Sequence, residues 1–204
     1  RTAINEAVAE TDEDLMEKYF SGEDFTPEER IKGLATGIRR GEIAPVFCGS
    51  ALELEGVDQL LNGLIWLAPW AETVAGETGT DADGLPVEIE PSENAPLSAV
   101  VFKTVVDPFV GKLLYFKVVS GKMIPDMTLL NTRTGSTEKI GKLFAVRGKK
   151  QEEVPFVGAG DIGAVAKLNS TNTGDTLCDA DRVVKLPAPV FPKPSLFMAV
   201  TVAK

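Results

Sequence analysis

Val101-Phe-Lys-Thr-Val-Val-Asp-Pro-Phe-Val-Gly-Lys-Leu-Leu-Tyr-Phe-Lys-Val-Val-Ser-Gly121 is the stretch on which the fold turns. Two runs rich in Val, Leu and Phe flank Asp107-Pro108, and Ser120-Gly121 stops the second. β-Branched and aromatic runs bounded by turn residues read as strands. The rhythm continues outward through Leu97–Val106, Lys112–Val119, Met123–Thr132, Lys139–Val146, Ile162–Leu168 and Thr176–Cys178. Thr134-Gly135, Gly158-Ala159-Gly160-Asp161 and Thr173-Gly174-Asp175 separate them. Many short strands, with no helical period between 96 and 190, predict an all-β barrel or sandwich.

Upstream the period changes. Ile4, Ala7, Val8, Leu15, Met16 and Tyr19 recur at helical spacing, with Thr11 and Asp14 placed to cap a second helix inside the run. Thr26, Pro27 and Glu29 form a capping box, Ile31, Leu34, Ala35 and Ile38 give one stripe, and Gly41 closes that helix. Ile43–Cys48 reads as a short buried strand. Val57, Leu60, Leu61, Leu64, Ile65 and Leu67 then repeat at three and four until Pro69. One parallel strand cannot form a sheet alone, so the first third reads as cut from a larger α/β domain. Residues 72–95, rich in Gly, Thr, Pro and acids, read as a linker. Pro187–Pro194 reads as a second, stiffer one, and Leu196–Val202 as the first strand of a further domain.

Composition removes several chemistries. The 204 residues include no histidine, so there is no imidazole base, no Ser-His or Cys-His pair and no His-containing zinc site. Cys48 and Cys178 form no C-x-x-C pair. No run approaches the roughly 18 apolar residues of a membrane span, and no signal peptide opens the chain, which points to the cytoplasm. The net charge of -9 hides a division: residues 1–58 sum to -8, residues 59–95 to -7 and residues 96–204 to +6. The basic balance of the last segment is what a nucleic-acid-facing part carries.

The run Pro45-Val-Phe-Cys-Gly-Ser-Ala51, followed by Glu55-Gly-Val-Asp-Gln-Leu-Leu61, resembles the end of the GTP-binding domain of bacterial elongation factor G. Phe102–Lys112, Tyr115-Phe116 and Val119-Ser-Gly121 resemble the opening of that family's second domain. Ala159-Gly-Asp-Ile162 and Thr173-Gly-Asp-Thr-Leu177 resemble its later turns. The resemblance covers nearly the whole chain in order. It implies a mainly β fold, a translation-factor-type β-barrel preceded by a helical and αβ remnant of a GTPase domain. Residues 1–71 would be the C-terminal part of that domain, 72–95 a linker, 96–186 the second-domain barrel, and 187–204 a linker with the first strand of a third domain. Gly49, Ser50, Ala51 and Leu52 would form the loop whose backbone N–H groups meet the guanine oxygen of GTP; small side chains permit that approach.

The phosphate-cradling G-x-x-x-x-G-K-[ST] and the Asn-Lys-x-Asp that reads guanine do not occur here, nor does the magnesium region's Asp-x-x-Gly, whose pattern is met only by Asp81-Ala-Asp-Gly84 within the linker-like residues 72–95. The family's catalytic histidine belongs to that missing part. GTP and Mg are therefore cofactors of a longer parent, a GTPase coupled to translocation, and this monomeric fragment is expected to be inactive alone. Its expected partners are the ribosome, through small-subunit ribosomal RNA, and the remaining parent domains, with no membrane. Among Lys112, Lys117, Lys122, Lys139, Lys142, Arg147, Lys149 and Lys150, the RNA candidates are Lys112 and the Arg147, Lys149, Lys150 cluster, with Gly148 marking an exposed turn. Aromatic and basic residues do not interleave along the chain in the RRM pattern, so base stacking is not expected. Trp66 and Trp70 are read as covering a domain seam, Glu152-Glu153 as pointing to opposite faces, and Asp175 as a turn residue.

One departure qualifies the resemblance. Ala199-Val-Thr-Val-Ala-Lys204 stands where the family opens its third domain with Ala-x-Glu-Pro-Lys, which leans toward a factor-G-like paralogue. Ribosomal protection and release-type GTPases share the barrel. A self-contained β-barrel binding module is the competing class, and a carboxylate-dependent hydrolase ranks lower, since no acid pair has sensible spacing.

Overall fold

The computed structural model describes residues 2–73, 76–107, 111–148, 150–199 and 201. The chain divides into two compact units, Arg1–Val74 and Ala75–Lys204.

The first unit is helical: α1 Thr2–Ala9, α2 Glu13–Phe20, α3 Pro27–Arg40 and α4 Val57–Leu67. Asp12 caps α2, accepting from the Asp14 N–H, while Thr11 is buried and its hydroxyl donates to the Val8 carbonyl at 2.7 Å. Asp12, and not the expected Thr11 or Asp14, is therefore the cap. The capping box of α3 is complete: Thr26 Oγ1 accepts from Glu29 N–H and the Glu29 carboxylate accepts from Thr26 N–H at 2.8 Å. Gly41 ends the helix in the left-handed conformation, φ +76. Val8, Ala9 and Phe25 form the small core, with Leu15, Tyr19 and Leu34 against it. The face of α3 that is fully buried is its glycine face, Gly33 and Gly37. A methyl on Gly33 would lie 2.8 Å from Val8 Cγ1, so close helix approach depends on its absence.

One expectation fails in this unit. Residues 43–48 form no strand; Val46 is 86% exposed. A strand of the parallel type needs neighbours on both sides, and no described residues supply them. The apolar stripe of α4 is likewise exposed at Leu61, Leu64 and Ile65.

Among its described residues, the regular structure of the second unit is all β. β3 Ser98–Asp107, β4 Gly111–Ser120, β6 Thr128–Asn131, β7 Thr137–Lys139, β8 Leu143–Arg147, β9 Lys150–Val154, β11 Ile162–Ala166 and β12 Thr176–Cys178 form one antiparallel sheet. Its order is β7-β6-β12-β3-β4-β11-β8-β9. β5 Lys122–Met123 pairs with β10 Val157–Gly158. Leu129 and Leu177 from one end of that order meet Leu143 and Val165 from the other in a single buried cluster around Phe116, so the sheet curls about one core in barrel-like fashion. Alternation explains it: Leu114, Phe116 and Val118 of β4 face inward, while Leu113 and Tyr115 join a separate cluster on the outer face.

The supposed linker 72–95 contains a hairpin, β1 Glu77–Thr80 with β2 Pro86–Ile89. Ile89 is buried with Val119, Val184 and Leu186, and Thr80 and Lys185 exchange both backbone hydrogen bonds, at 2.9 and 2.7 Å. A few apolar residues at alternate positions suffice, although acids and Gly dominate the composition. Residues 187–199 carry no regular structure, and the strand expected over 196–202 is absent from its described residues.

Candidate functional site

The loop that contains Gly49, Ser50, Ala51 and Leu52 sits between residue 48 and α4. Ser50 N–H donates to the Glu55 carbonyl at 2.9 Å, and Ser50 Oγ accepts from Glu53 N–H at 3.2 Å. Gly49 allows this closure, because a Cβ there would lie 2.5 Å from the Glu55 oxygen; Gly56, at φ +74, completes it. Ser50 has thus spent its backbone donor inside the loop. Ala51 and Leu52 are exposed, and their N–H groups make no backbone hydrogen bond among the described residues. For an acceptor such as a guanine oxygen, the donor on offer comes from Ala51 or Leu52, with Gly49 and Ser50 shaping the turn.

On the second unit the basic candidates separate by their partners. Lys112 Nζ donates to the Thr171 carbonyl at 2.5 Å and to Asn172 Oδ1 at 3.0 Å, so it holds the 169–175 loop. Lys117 pairs with Glu77, Lys122 with Glu93, Lys139 with Asp126 and Lys142 with Glu153, all at 2.6–2.7 Å. Lys122 also lies 4.4 Å over the Phe156 ring. Arg147 and Lys150 face each other across the β8–β9 turn, with Gly148 at φ +60. Both are exposed, and the contact of Arg147 with Glu152 is loose at 3.8 Å. Lys149 lies outside the described residues. Of the expected RNA candidates, the structure therefore brings Arg147 and Lys150 together and sets Lys112 apart.

Residues that local reading missed surround Asp175. It is 3% exposed and accepts from Asn131 Nδ2 at 2.9 Å, from Arg133 Nε and Nη2 at 2.6 and 2.9 Å, and from Asn172 N–H at 2.9 Å. Burial pushes its carboxyl upward, but the hydrogen bonds from Arg133, Asn131 and Asn172 outweigh that and hold it below the usual carboxylate range. Glu138 is held down in the same way: burial opposes, and donors from Ser170 and Thr171 prevail. Together they fix the end of the barrel where Lys112 is bound. Lys103 and Lys167, both exposed and without an acidic partner among the described residues, were also missed; nothing in their chain neighbourhood marks them.

In the first unit, Trp66 and Trp70 wall a cavity of about 470 Å³ against Ile31, Ala35 and Arg39 of α3. Both rings are more than half exposed. Among the described residues no group of His, Cys, Asp and Glu could hold a metal ion, and no helix is long and apolar enough to cross a membrane.

Comparison with known proteins bears on the fold. Residues 96–180 match the family described as elongation factor G domain 2. A Thermus thermophilus protein of known crystal structure is similar over 96% of this chain, with a TM-score of 0.75 and 28% identity. The chain spans 27% of that protein's length. Residues 96–180 are a domain of the translation elongation factor type, and the fold is mainly β.

Proposed function

We propose that this chain is part of a translational GTPase of the elongation factor G type, in which the barrel docks on small-subunit ribosomal RNA. The observation that supports it most is the family match over residues 96–180, which falls inside the segment 96–204 whose charges sum to +6. Internal pairing of the half-buried Lys117 and Lys122 narrows that balance to fewer outward cations, Arg147 and Lys150 foremost. Cations that neutralise phosphates supply the affinity of such docking without reading sequence.

Residues 49–52 form the guanine-proximal loop in this reading. The residues present fit GTP in part: Ala51 and Leu52 offer N–H donors at an exposed turn, whereas Ser50 is committed to Glu55. The phosphate and magnesium groups would come from other parts of the parent, which acts in the cytoplasm and couples hydrolysis to movement on the ribosome. The exposed face of α4 and residues 43–48 would pack in that domain. The Ala199–Lys204 departure favours a factor-G-like paralogue.

The test is a titration of the 204-residue chain with a fluorescent guanine nucleotide, beside a longer chain extended upstream. The shorter chain should not bind at micromolar concentration, and the extension should carry a phosphate loop and Asn-Lys-x-Asp and restore binding. An upstream sequence without those motifs would sink the GTPase reading.

A further inference from the structure

Along the chain, aromatic and basic residues do not interleave in the RRM pattern; across the sheet they meet. On the outer face, Tyr115 of β4 pairs in register with Ala164 of β11, and Ala164 with Phe144 of β8. Two strand spacings put these half-buried rings roughly 10 Å apart, with only an alanine methyl between. Phe102 of β3 extends the row, its ring 6.4 Å from that of Tyr115. Beside Phe144 opens a cavity of about 430 Å³, floored by Gly141 and Ala166 and rimmed by Lys139, Lys142 and Lys167. Lys167 has no acidic partner among the described residues and holds a left-handed backbone, φ +66. Such a conformation costs a non-glycine residue energy and tends to mark functional positions. Lys139 and Lys142 are paired only through exposed ion pairs, which are worth little in water and can be exchanged for a ligand's phosphate.

A flat apolar wall with a cationic rim fits an anion that carries a planar face. A small nucleotide would need only the cavity. The pattern repeats one step along the sheet, where exposed Lys103 lies in register beside Tyr115. Recurrence of ring plus cation matches recurrence of base plus phosphate in a polymer. We propose that this face is a stacking platform for unpaired RNA, with one base against Phe144 in the cavity and its phosphate among Lys139, Lys142 and Lys167. The inference rests on the reading of the barrel as an RNA-docking domain and specifies single-stranded nucleotides as what it takes.

The experiment measures binding of the full chain to a fluorescein-labelled 12-nucleotide oligo-uridine and to a duplex RNA of equal length, with sedimentation on small ribosomal subunits in parallel. The single strand should bind about tenfold more tightly than the duplex. Phe144→Leu keeps an apolar side chain of similar size but removes the ring, and should cost about tenfold, within the range for losing one base stack. Phe144→Trp should stay within about threefold of the parent. Lys167→Gln should weaken binding and lower the slope of log affinity against log salt by about 0.7. Thermal melts of each variant separate misfolding from lost binding. Equal affinity for duplex and single strand, or indifference to Phe144→Leu, overturns the platform, and retained subunit sedimentation then leaves the docking reading standing. Loss of subunit binding in Phe144→Leu with no oligonucleotide binding also overturns it and points to a protein ligand. Ring-dependent oligonucleotide binding without subunit binding upholds the platform and removes the docking reading.

Discussion

At the scale of single residues, Asp175 sets how firmly one end of the barrel is held. It is buried, and its four hydrogen bonds come from residues 42 and 44 positions away as well as from its own turn. Asp175→Ala should cost on the order of 2–3 kcal/mol in chemical denaturation, since buried Asn131 loses one of its two acceptors and Arg133 loses its carboxylate. The pH dependence follows from the direction of both carboxyls. Asp175 and Glu138 are held below their ordinary values in the folded state, so their contribution is complete above the unfolded values near 3.9 and 4.3. It is lost as pH falls through the lower folded values. Thermal melts should therefore show the second unit weakening below about pH 4, and Asp175→Asn should flatten that acid limb while lowering stability at pH 7. An unchanged acid limb would show that the network does not govern it. A turn aspartate was legible in Thr173-Gly174-Asp175; Arg133 was not, because nothing local connects a side chain to an acceptor so distant in sequence.

At the scale of elements, what was legible depended on whether the signal is local. Caps are local: Thr26-Pro27-Glu29 and Gly41 bound α3 as read, and Thr26→Ala should cost about 1 kcal/mol of helical-unit stability, measured by urea titration. Strand alternation is local too, which is why β3, β4 and β11 were readable. Residues 43–48 have the apolar content of a strand but no described neighbours, and pairing cannot be read from one partner. The β1–β2 hairpin failed the other way, since its acids and glycines look like a linker while Val87 and Ile89 do the packing. Gly79→Val tests its role: a Cβ there would lie 2.9 Å from Ile89 Cδ1, from the Lys185 carbonyl and from Val184 Cγ1. Hydrogen exchange at the Thr80 and Lys185 amides should accelerate at least tenfold while β4 amides stay protected. Unaltered exchange would mean that the hairpin accommodates the side chain.

At the scale of the whole chain, the net charge of -9 is misleading as a guide to partners. The excess acid lies upstream of residue 96, and the structure refines the basic remainder further, because the half-buried Lys117 and Lys122 are paired with Glu77 and Glu93, and Lys112 is held by a carbonyl and an amide. Docking is therefore expected to run through few cations. The direct measurement is sedimentation of the chain with small ribosomal subunits over a series of salt concentrations, for the parent and for Arg147→Gln with Lys150→Gln. Binding that weakens linearly in log salt, with a slope reduced by about two in the double variant, is the predicted result. Salt-indifferent binding, or a slope that the double variant leaves unchanged, would contradict it.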